Sequence, residues 1–305
     1  MNKLKWIKFV CSLFPPVVAQ QVRERLITIP KAEKMALDFK RKAFTGSYFE
    51  GNSSDFHAFK FWMHGYFDWR NIVLAKHILK FKSGAIIEVG ANIGTETISL
   101  ADINKNNPVY AFEPLPANVA SLRRLKELNR LENLTVYDVL VSDKKGEAHF
   151  KIPPANSSGS GHIAQESQGI TQKFEVVTLD EKLGEGRSYA AIIADVEGYE
   201  PQVLAGAEKL ISSSKPFLIL EVNARFLKER AQTTVPAFHE SMTRHGYRCY
   251  YIGRFGLSKV DPTNFKTKRN KNWICVPEAY QGKVSRLSRS IWLNAFNPWM
   301  RFKIL

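Results

Sequence analysis

The sequence predicts an α/β fold, a doubly wound and mostly parallel sheet preceded by an N-terminal helical extension. Three observations predict it. The apolar run Ala85-Ile86-Ile87 leads into Glu88-Val89-Gly90-Ala91-Asn92-Ile93-Gly94 and then a helical stretch from Thr95 to Leu100, which reads as a strand, a tight glycine turn and a helix start. Strand-like and helix-like segments keep alternating after it. Acidic residues close several of the strands, and ligands of such sheets bind beyond the strand carboxyl ends.

The elements follow in order. Residues 1–80 read as helical and aromatic, with Phe56, Phe59, Phe61, Trp62, Tyr66, Phe67 and Trp69 crowded before the first strand. They suit either a cap over the ligand edge of the sheet or plain helix packing. Strand Ala85–Val89 leads to a helix from Gly94 to about Asn104, and strand Val109–Glu113 to a helix over Pro116–Asn129 with Val119, Leu122 and Leu125 inward. Leu134–Val141 reads as one strand, followed by Glu147–Ile152. Pro153–Gly161 is a Gly/Ser-rich loop of the kind that carries function. Phe174–Val177 is expected to pair with Glu147–Ile152 at an edge. Ala190–Ala194 is a core strand, Pro201–Ile211 a helix with proline in its first turn, and Phe217–Val222 a strand. Val235–His245 is a helix closed by Gly246. Arg248–Ile252 and Trp273–Val276 form a terminal hairpin around a basic loop, Gly253–Asn272. The organisation is an extension over 1–80, a catalytic-type domain over 81–280 and a basic amphipathic tail over 281–305.

The glycine turn carries the first chemistry. Its spacing is G-x-x-x-G rather than the G-x-G-x-x-G of a pyrophosphate cradle. Bare backbone and free helix-start N–H groups face the ligand. A nucleoside without a pyrophosphate fits, and S-adenosylmethionine (SAM) is one. Glu113 ends the second strand 19 residues after Gly94, where a carboxylate can bridge the two hydroxyls of a ribose.

The net charge of +15 is unevenly placed. Residues 1–80 carry +8 and 254–305 carry +9, while 81–253 carry −2. A basic groove in the core is therefore not expected, and the two flanks suit an anionic surface. Three cysteines, Cys11, Cys249 and Cys275, without a C-x-x-C pair suggest neither a disulfide framework nor a zinc knuckle. They read as small buried hydrophobes of a reducing, cytoplasmic compartment. No apolar run is long enough to span a bilayer. The first residues have a weak signal-peptide look, with Val17-Val18-Ala19 near a cleavage pattern, but Pro15-Pro16 breaks the apolar stretch. An amphipathic surface helix is preferred, with Leu4, Ile7, Cys11 and Phe14 on one face. The tail repeats the theme with Val284, Leu287, Ile291 and Ala295 on one face and Trp292, Trp299, Arg301 and Lys303 nearby. Together the ends suit contact with the inner face of a membrane.

A second acidic cluster follows the fourth strand of the alternation: Asp195-Val196-Glu197-Gly198-Tyr199-Glu200-Pro201, then Val203-Leu204-Ala205-Gly206-Ala207, with Glu221 after the next strand. With Glu88–Gly94, Phe112-Glu113-Pro114, Val141-Ser142-Asp143 and Gly146, these pieces resemble the FkbM family of SAM-dependent O-methyltransferases from about Phe81 to Pro277. The resemblance implies a class I methyltransferase (Rossmann-like) sheet of seven strands with the last one antiparallel. It implies that Glu88, Gly90, Ala91, Asn92 and Gly94 hold the methionine part of SAM, that Glu113 with Pro114 holds the ribose, and that Leu140 lines the adenine. It also implies hydroxyl acceptors, often sugars of cell-surface glycans. One departure stands out: the family usually has Lys two residues before the motif Asp, and here that residue is Ile193.

A sugar hydroxyl needs a general base. Asp195 is favoured by position, Glu197 as a substrate or structural ligand, and His162 as a base carried by the flexible loop, with Glu221 a further rim candidate. The same carboxylates could instead hold a divalent cation. Two rivals are weighed. A nucleic-acid methyltransferase docked by the basic flanks lacks the Asn/Asp-Pro-Pro-aromatic motif, because Asp195-Val196-Glu197-Gly198 occupies that position. A non-catalytic membrane-surface module would not bind SAM. The favoured partner is a small-molecule or glycan acceptor, lipid-linked if the termini sit on a membrane.

Overall fold

The computed structural model describes residues 3–154, 156–164, 170–184, 186–263, 271–300 and 304–305. Arg301, Lys303 and residues 264–270 of the basic loop lie outside the described residues.

Helices α1 (Lys3–Cys11), α2 (Pro16–Leu26) and α3 (Ile29–Glu33) open the chain, followed by strands β1 (Asp38–Lys42) and β2 (Tyr48–Asn52) and helices α4 (Phe56–His64) and α5 (Trp69–Ile78). The extension is thus not all helical, since β1 and β2 pair as an antiparallel hairpin. Their polar stretch, Asp38-Phe39-Lys40-Arg41-Lys42, gives no apolar run to read. The alternation continues through β3 (Ala85–Val89), α6 (Thr97–Ile103), β4 (Val109–Phe112), α7 (Pro116–Asn129) and β5 (Leu134–Tyr137). A side sheet is built from β6 (Leu140–Val141), β7 (Gly146–Lys151), β8 (His162–Ile163) and β9 (Thr171–Val177). Next come α8 (Leu179–Leu183), β10 (Tyr189–Ala194), α9 (Glu200–Ala205), α10 (Glu208–Ser214), β11 (Phe217–Val222), α11 (Ala224–Glu229), α12 (Val235–Arg244), β12 (Tyr247–Ile252), β13 (Leu257–Lys259), β14 (Lys271–Pro277) and α13 (Val284–Ala295).

The main sheet has eight strands in the order β13-β12-β14-β11-β10-β3-β4-β5. The run β11-β10-β3-β4-β5 is parallel, and β14 enters antiparallel between β11 and β12. The sheet is mixed, with one strand more than the expected seven. The extra strand, β13, pairs with β12 from within the stretch expected to be only a loop. The single strand expected over Leu134–Val141 breaks at Asp138 and Val139, so β5 stays in the main sheet while β6 joins β9. The expected edge pair of β7 with β9 is present and antiparallel.

The central strands are buried along their whole length, because helices cover both faces of the parallel section. Pro116 at the first turn of α7 and Arg130 in the left-handed conformation at its end set that helix to its predicted bounds. The helix expected over Pro201–Ile211 is divided at Gly206 into α9 and α10. A side chain at Gly206 would meet the Ser142 carbonyl at 2.0 Å, so this residue lets the helix pair lie against the β6 end.

The apolar faces predicted at both ends are mostly core, with Phe14 of the N-terminal face exposed. Leu4, Ile7 and Cys11 pack on Phe59, Trp62 and Met63 of α4. Leu287, Ile291 and Ala295 join the core that contains Ile86, Val109 and Ile219. Cys249 and Cys275, facing each other across β12 and β14, form a disulfide, which corrects the expectation of three unpaired cysteines. Cys11 is free and buried. Among the described residues, no helix is long and apolar enough to cross a membrane.

Candidate active site

The glycine turn and the second acidic cluster meet at the carboxyl ends of β3 and β10. Gly90 has φ +85°, and a Cβ there would fall 2.0 Å from the Asp195 carbonyl oxygen. Only glycine lets the two turns touch. Gly90 and Ala91 donate their N–H groups to the Phe112 carbonyl at 3.0 and 3.1 Å, which ties the turn to β4. Gly94 serves packing instead: a Cβ there would crowd Leu125 and Leu122 of α7 at 2.9 and 3.0 Å.

Glu113 is buried at the end of β4 and holds the same turn. Its Oε2 accepts from the Asn92 N–H at 2.8 Å, and its Oε1 from the Leu115 N–H at 3.0 Å and the Asn118 side-chain amide at 3.2 Å. Loss of hydration pushes its carboxyl up to about 7, against the pull of those donors. Three acceptor sites are therefore spent on the protein, with capacity left for a further donor.

Two adjoining cavities open above these turns. The first is lined by Gly90, Asn92, Glu113 and Pro114 on one side and by Leu115, Leu140 and Phe150 on the other. It offers a largely apolar slot next to a carboxylate. The second is lined by Glu88, Ala91, Glu96, Asp195, Glu197 and Glu221, with Phe56, His57, Phe67 and Asn71 from the extension. Asp195, Gly90, Asn92 and Gly159 line both. The loop 156–161 forms part of the partition, and the extension holds it. The Ser158 N–H donates to Asp55 Oδ2 at 3.0 Å, and a side chain on Gly159 would meet His57 Cε1 at 2.7 Å and the Asn92 amide at 2.9 Å.

The carboxylates divide their roles. Asp195 opens onto the cavity and is hydrogen-bonded to Glu221 at the end of β11. Desolvation within the cavity raises Asp195 above the ordinary carboxylate range, and the Glu221 side chain opposes it. Glu197, at φ +55°, lies with an oxygen 3.8 Å from Arg230 Nη1. Burial and then the Asp195 charge push it to about 7, and Arg230 pulls it down. Glu200 is fully buried; its Oε1 accepts the Val196 and Gly198 N–H groups at 3.1 and 3.2 Å and pins the turn. Ligand oxygens of Asp195, Glu197 and Glu221 lie within 4.8 Å of one another, close enough for one divalent cation.

Glu88 is buried at the floor of the second cavity, with Oε2 unpartnered, and burial pushes it to about 8. Glu96 accepts from the Asn71 amide at 3.1 Å, and burial followed by the nearby Asp68 raises it well above its usual range. His57 is driven down to about 4 by burial, so it is neutral at neutral pH. His162 is not brought to this cavity. It lines a separate cleft with Tyr199 and Arg230 and is lowered by burial and then by Arg230. Sequence reasoning missed His57, Asn71 and Glu96. The aromatic crowd around His57 was the only signal, and Asn71 and Glu96 meet across 25 residues of chain.

The Methyltransferase FkbM domain model matches residues 88–249, just over half of the chain. Among curated proteins none matches. A solved FkbM methyltransferase from Methylobacillus flagellatus KT is similar at 14% identity and TM-score 0.42, covering 90% of this chain, which spans 58% of that one. A precorrin-6y C5,15-methyltransferase from Geobacter metallireducens GS-15 shares 13% identity at TM-score 0.36, covering 68% of this chain and 87% of that one. TYW2 of M. jannaschii, solved with AdoMet, shares 15% at TM-score 0.37, covering 78% and 84%. These likenesses are distant, and the assignment rests on the domain match. With the strand-four motif and the glycine turn inside the matched span, the chain belongs to the FkbM family of SAM-dependent methyltransferases.

Proposed function

We propose that this protein is a SAM-dependent O-methyltransferase whose acceptor is a hydroxyl, most simply that of a sugar in a cell-surface or lipid-linked glycan. The observation that carries the proposal is Asp195, which lines both cavities and shares a hydrogen bond with Glu221. A base is needed where methyl donor and acceptor meet, and its place in the lining of both cavities supports Asp195 in that role.

The residues fit SAM. The apolar slot of Leu115, Leu140 and Phe150 suits an adenine, and the remaining acceptor capacity of Glu113 suits a ribose hydroxyl. The unpartnered Glu88 oxygen suits an ammonium group near the bare backbone of Gly90. Bound SAM would supply a methyl carbon activated by its sulfonium. The chain's own part is to align the acceptor oxygen and to take its proton. Asp195 accepts that proton as the oxygen–carbon bond forms and the carbon–sulfur bond breaks. Its raised pKa makes it a stronger base than an ordinary carboxylate. Asp195, Glu197 and Glu221 would also be the ligands if a divalent cation activates the hydroxyl.

Carboxylates and Asn71 beside the rings of Phe56 and Phe67 match what a polyol needs, with acceptors for hydroxyls and apolar surface for C–H faces. An acidic wall disfavours a phosphate backbone. The test is calorimetric titration with S-adenosylhomocysteine, followed by methyl transfer from labelled SAM to a panel of glycan acceptors. Binding with transfer to sugar hydroxyls supports the reading. Transfer to nucleic acid, or no binding by the folded protein, removes it.

A further inference from the structure

We propose that the two chain ends form a docking surface for an anionic lipid bilayer, carried by faces of α1 and α13 other than those the sequence periodicity picks out. Helix α1 is apolar on two sides. Leu4, Ile7 and Cys11 are buried, while Trp6 and Phe9, beside Lys5, stand 45% and 56% exposed and Leu13, in the turn after the helix, 52%. Helix α13 repeats the arrangement. Leu287, Ile291 and Ala295 point inward, and Arg286, Arg289, Trp292 and Phe296 are exposed. Phe255, at the turn between β12 and β13, stacks on Phe296 with centroids 5.4 Å apart and planes 5° apart, next to the exposed Arg254. The two ends adjoin, since Phe14 shares a cleft with Asn297, Pro298 and Met300. Trp299, between the last two, is 64% exposed.

Apolar side chains of this size on a surface cost hydration and mark an interaction site when they cluster. Among the described residues, the only other large exposed hydrophobics are Met35, Tyr48, Ile170 and the last residue, Leu305. Charge selects the occupant. Residues 1–80 carry +8 and 254–305 carry +9, against −2 over 81–253. A second copy of the chain would bring like charges together. Trp and Phe rings beside Lys and Arg instead suit the headgroup region of a bilayer, where rings enter the acyl boundary and cations meet anionic lipid. This inference does not depend on the methyltransferase reading.

The test is co-sedimentation of the full chain with vesicles of phosphatidylcholine alone or mixed with phosphatidylglycerol, using wild type and the variant Trp6→Ser/Phe9→Ser/Trp292→Ser/Phe296→Ser. None of the four positions lies in the core, so the variant should stay folded, with a melting temperature lowered by the lost surface packing, and should keep its S-adenosylhomocysteine affinity. The wild type is expected to sediment with phosphatidylglycerol vesicles, about tenfold more weakly with phosphatidylcholine alone, and about tenfold more weakly again in the aromatic variant. A milder variant, Arg286→Ser/Arg289→Ser, should reduce binding to the anionic vesicles and its salt sensitivity. The proposal is overturned if the wild type ignores anionic vesicles, or if the aromatic variant binds them equally well. It is also overturned if the patch is found buried in a dimer by light scattering, or if it binds nucleic acid in place of lipid.

Discussion

A Cβ on Gly90 would lie 2.0 Å from the carbonyl oxygen of Asp195, so the cofactor-type turn after β3 and the acidic turn after β10 are in backbone contact. The site depends on this contact, because it sets Asp195 between the two cavities. Gly90→Ala should therefore lose stability by about 1–3 kcal/mol from the left-handed φ alone, with the clash adding to it. It should also lose S-adenosylhomocysteine binding. A thermal melt and a titration check both, and unchanged affinity would mean that the turn is not the cofactor floor.

Asp195→Asn should keep S-adenosylhomocysteine affinity and lower kcat by about 10²–10⁴. The raised pKa of Asp195 adds a pH signature. The base works only when deprotonated, so kcat/KM should rise with pH along a limb whose midpoint lies above the ordinary carboxylate range. The Asn variant should lack that limb. A carboxylate base needs no metal, so activity is expected to survive chelation by EDTA. Loss on chelation with recovery on Mg²⁺ would make the three carboxylates a metal site instead.

Glu113→Ala and Glu113→Gln should separate two roles. The carboxylate accepts from Asn92, Leu115 and Asn118, so the Ala variant leaves buried donors without a partner and should lose about 1–3 kcal/mol of stability as well as affinity. The Gln variant keeps one good acceptor. It should hold the turn better and lose mainly the contact to a ribose hydroxyl. Equal titration curves for Gln and wild type would show that Glu113 only braces the turn.

Much of this site was legible because it is local in sequence. Glu88 to Gly94, Glu113 and Asp195 to Glu200 each sit at a strand end, and a strand end is read from an apolar run that stops. The roles inside the acidic cluster were not legible. Three carboxylates within six residues look alike until the turn at Gly198 sends Asp195 to the cavity, Glu197 to Arg230 and Glu200 into the backbone. Contacts that join distant segments were also hidden. His57 against Gly159, Asn71 with Glu96, and Cys249 opposite Cys275 are set by topology rather than spacing. The amphipathic ends were read correctly as helices, yet their strongest apolar stripes turned out to be core, because periodicity identifies an apolar face without saying what covers it.

Glu200 gives a prediction about stability that needs no ligand. Its Oε1 holds two backbone N–H groups, its Oε2 has no partner, and burial pushes the folded carboxyl to about 8. In the unfolded chain a Glu titrates at about 4.3. Between those values the folded state holds a proton that the unfolded state has released. The contribution of Glu200 is therefore complete below the unfolded pKa and is lost as pH rises toward about 8, at a slope of up to about 1.4 kcal/mol per pH unit. Glu88, also near 8, adds in the same direction. Glu200→Gln keeps a neutral acceptor at the turn and cannot ionise. Denaturant titrations from pH 5 to 8 should show the variant losing less stability with rising pH than the wild type, with the two diverging most at the alkaline end. Parallel curves would place the charge of Glu200 in contact with water or a cation and remove it as the buried acid that pins the turn beside Asp195.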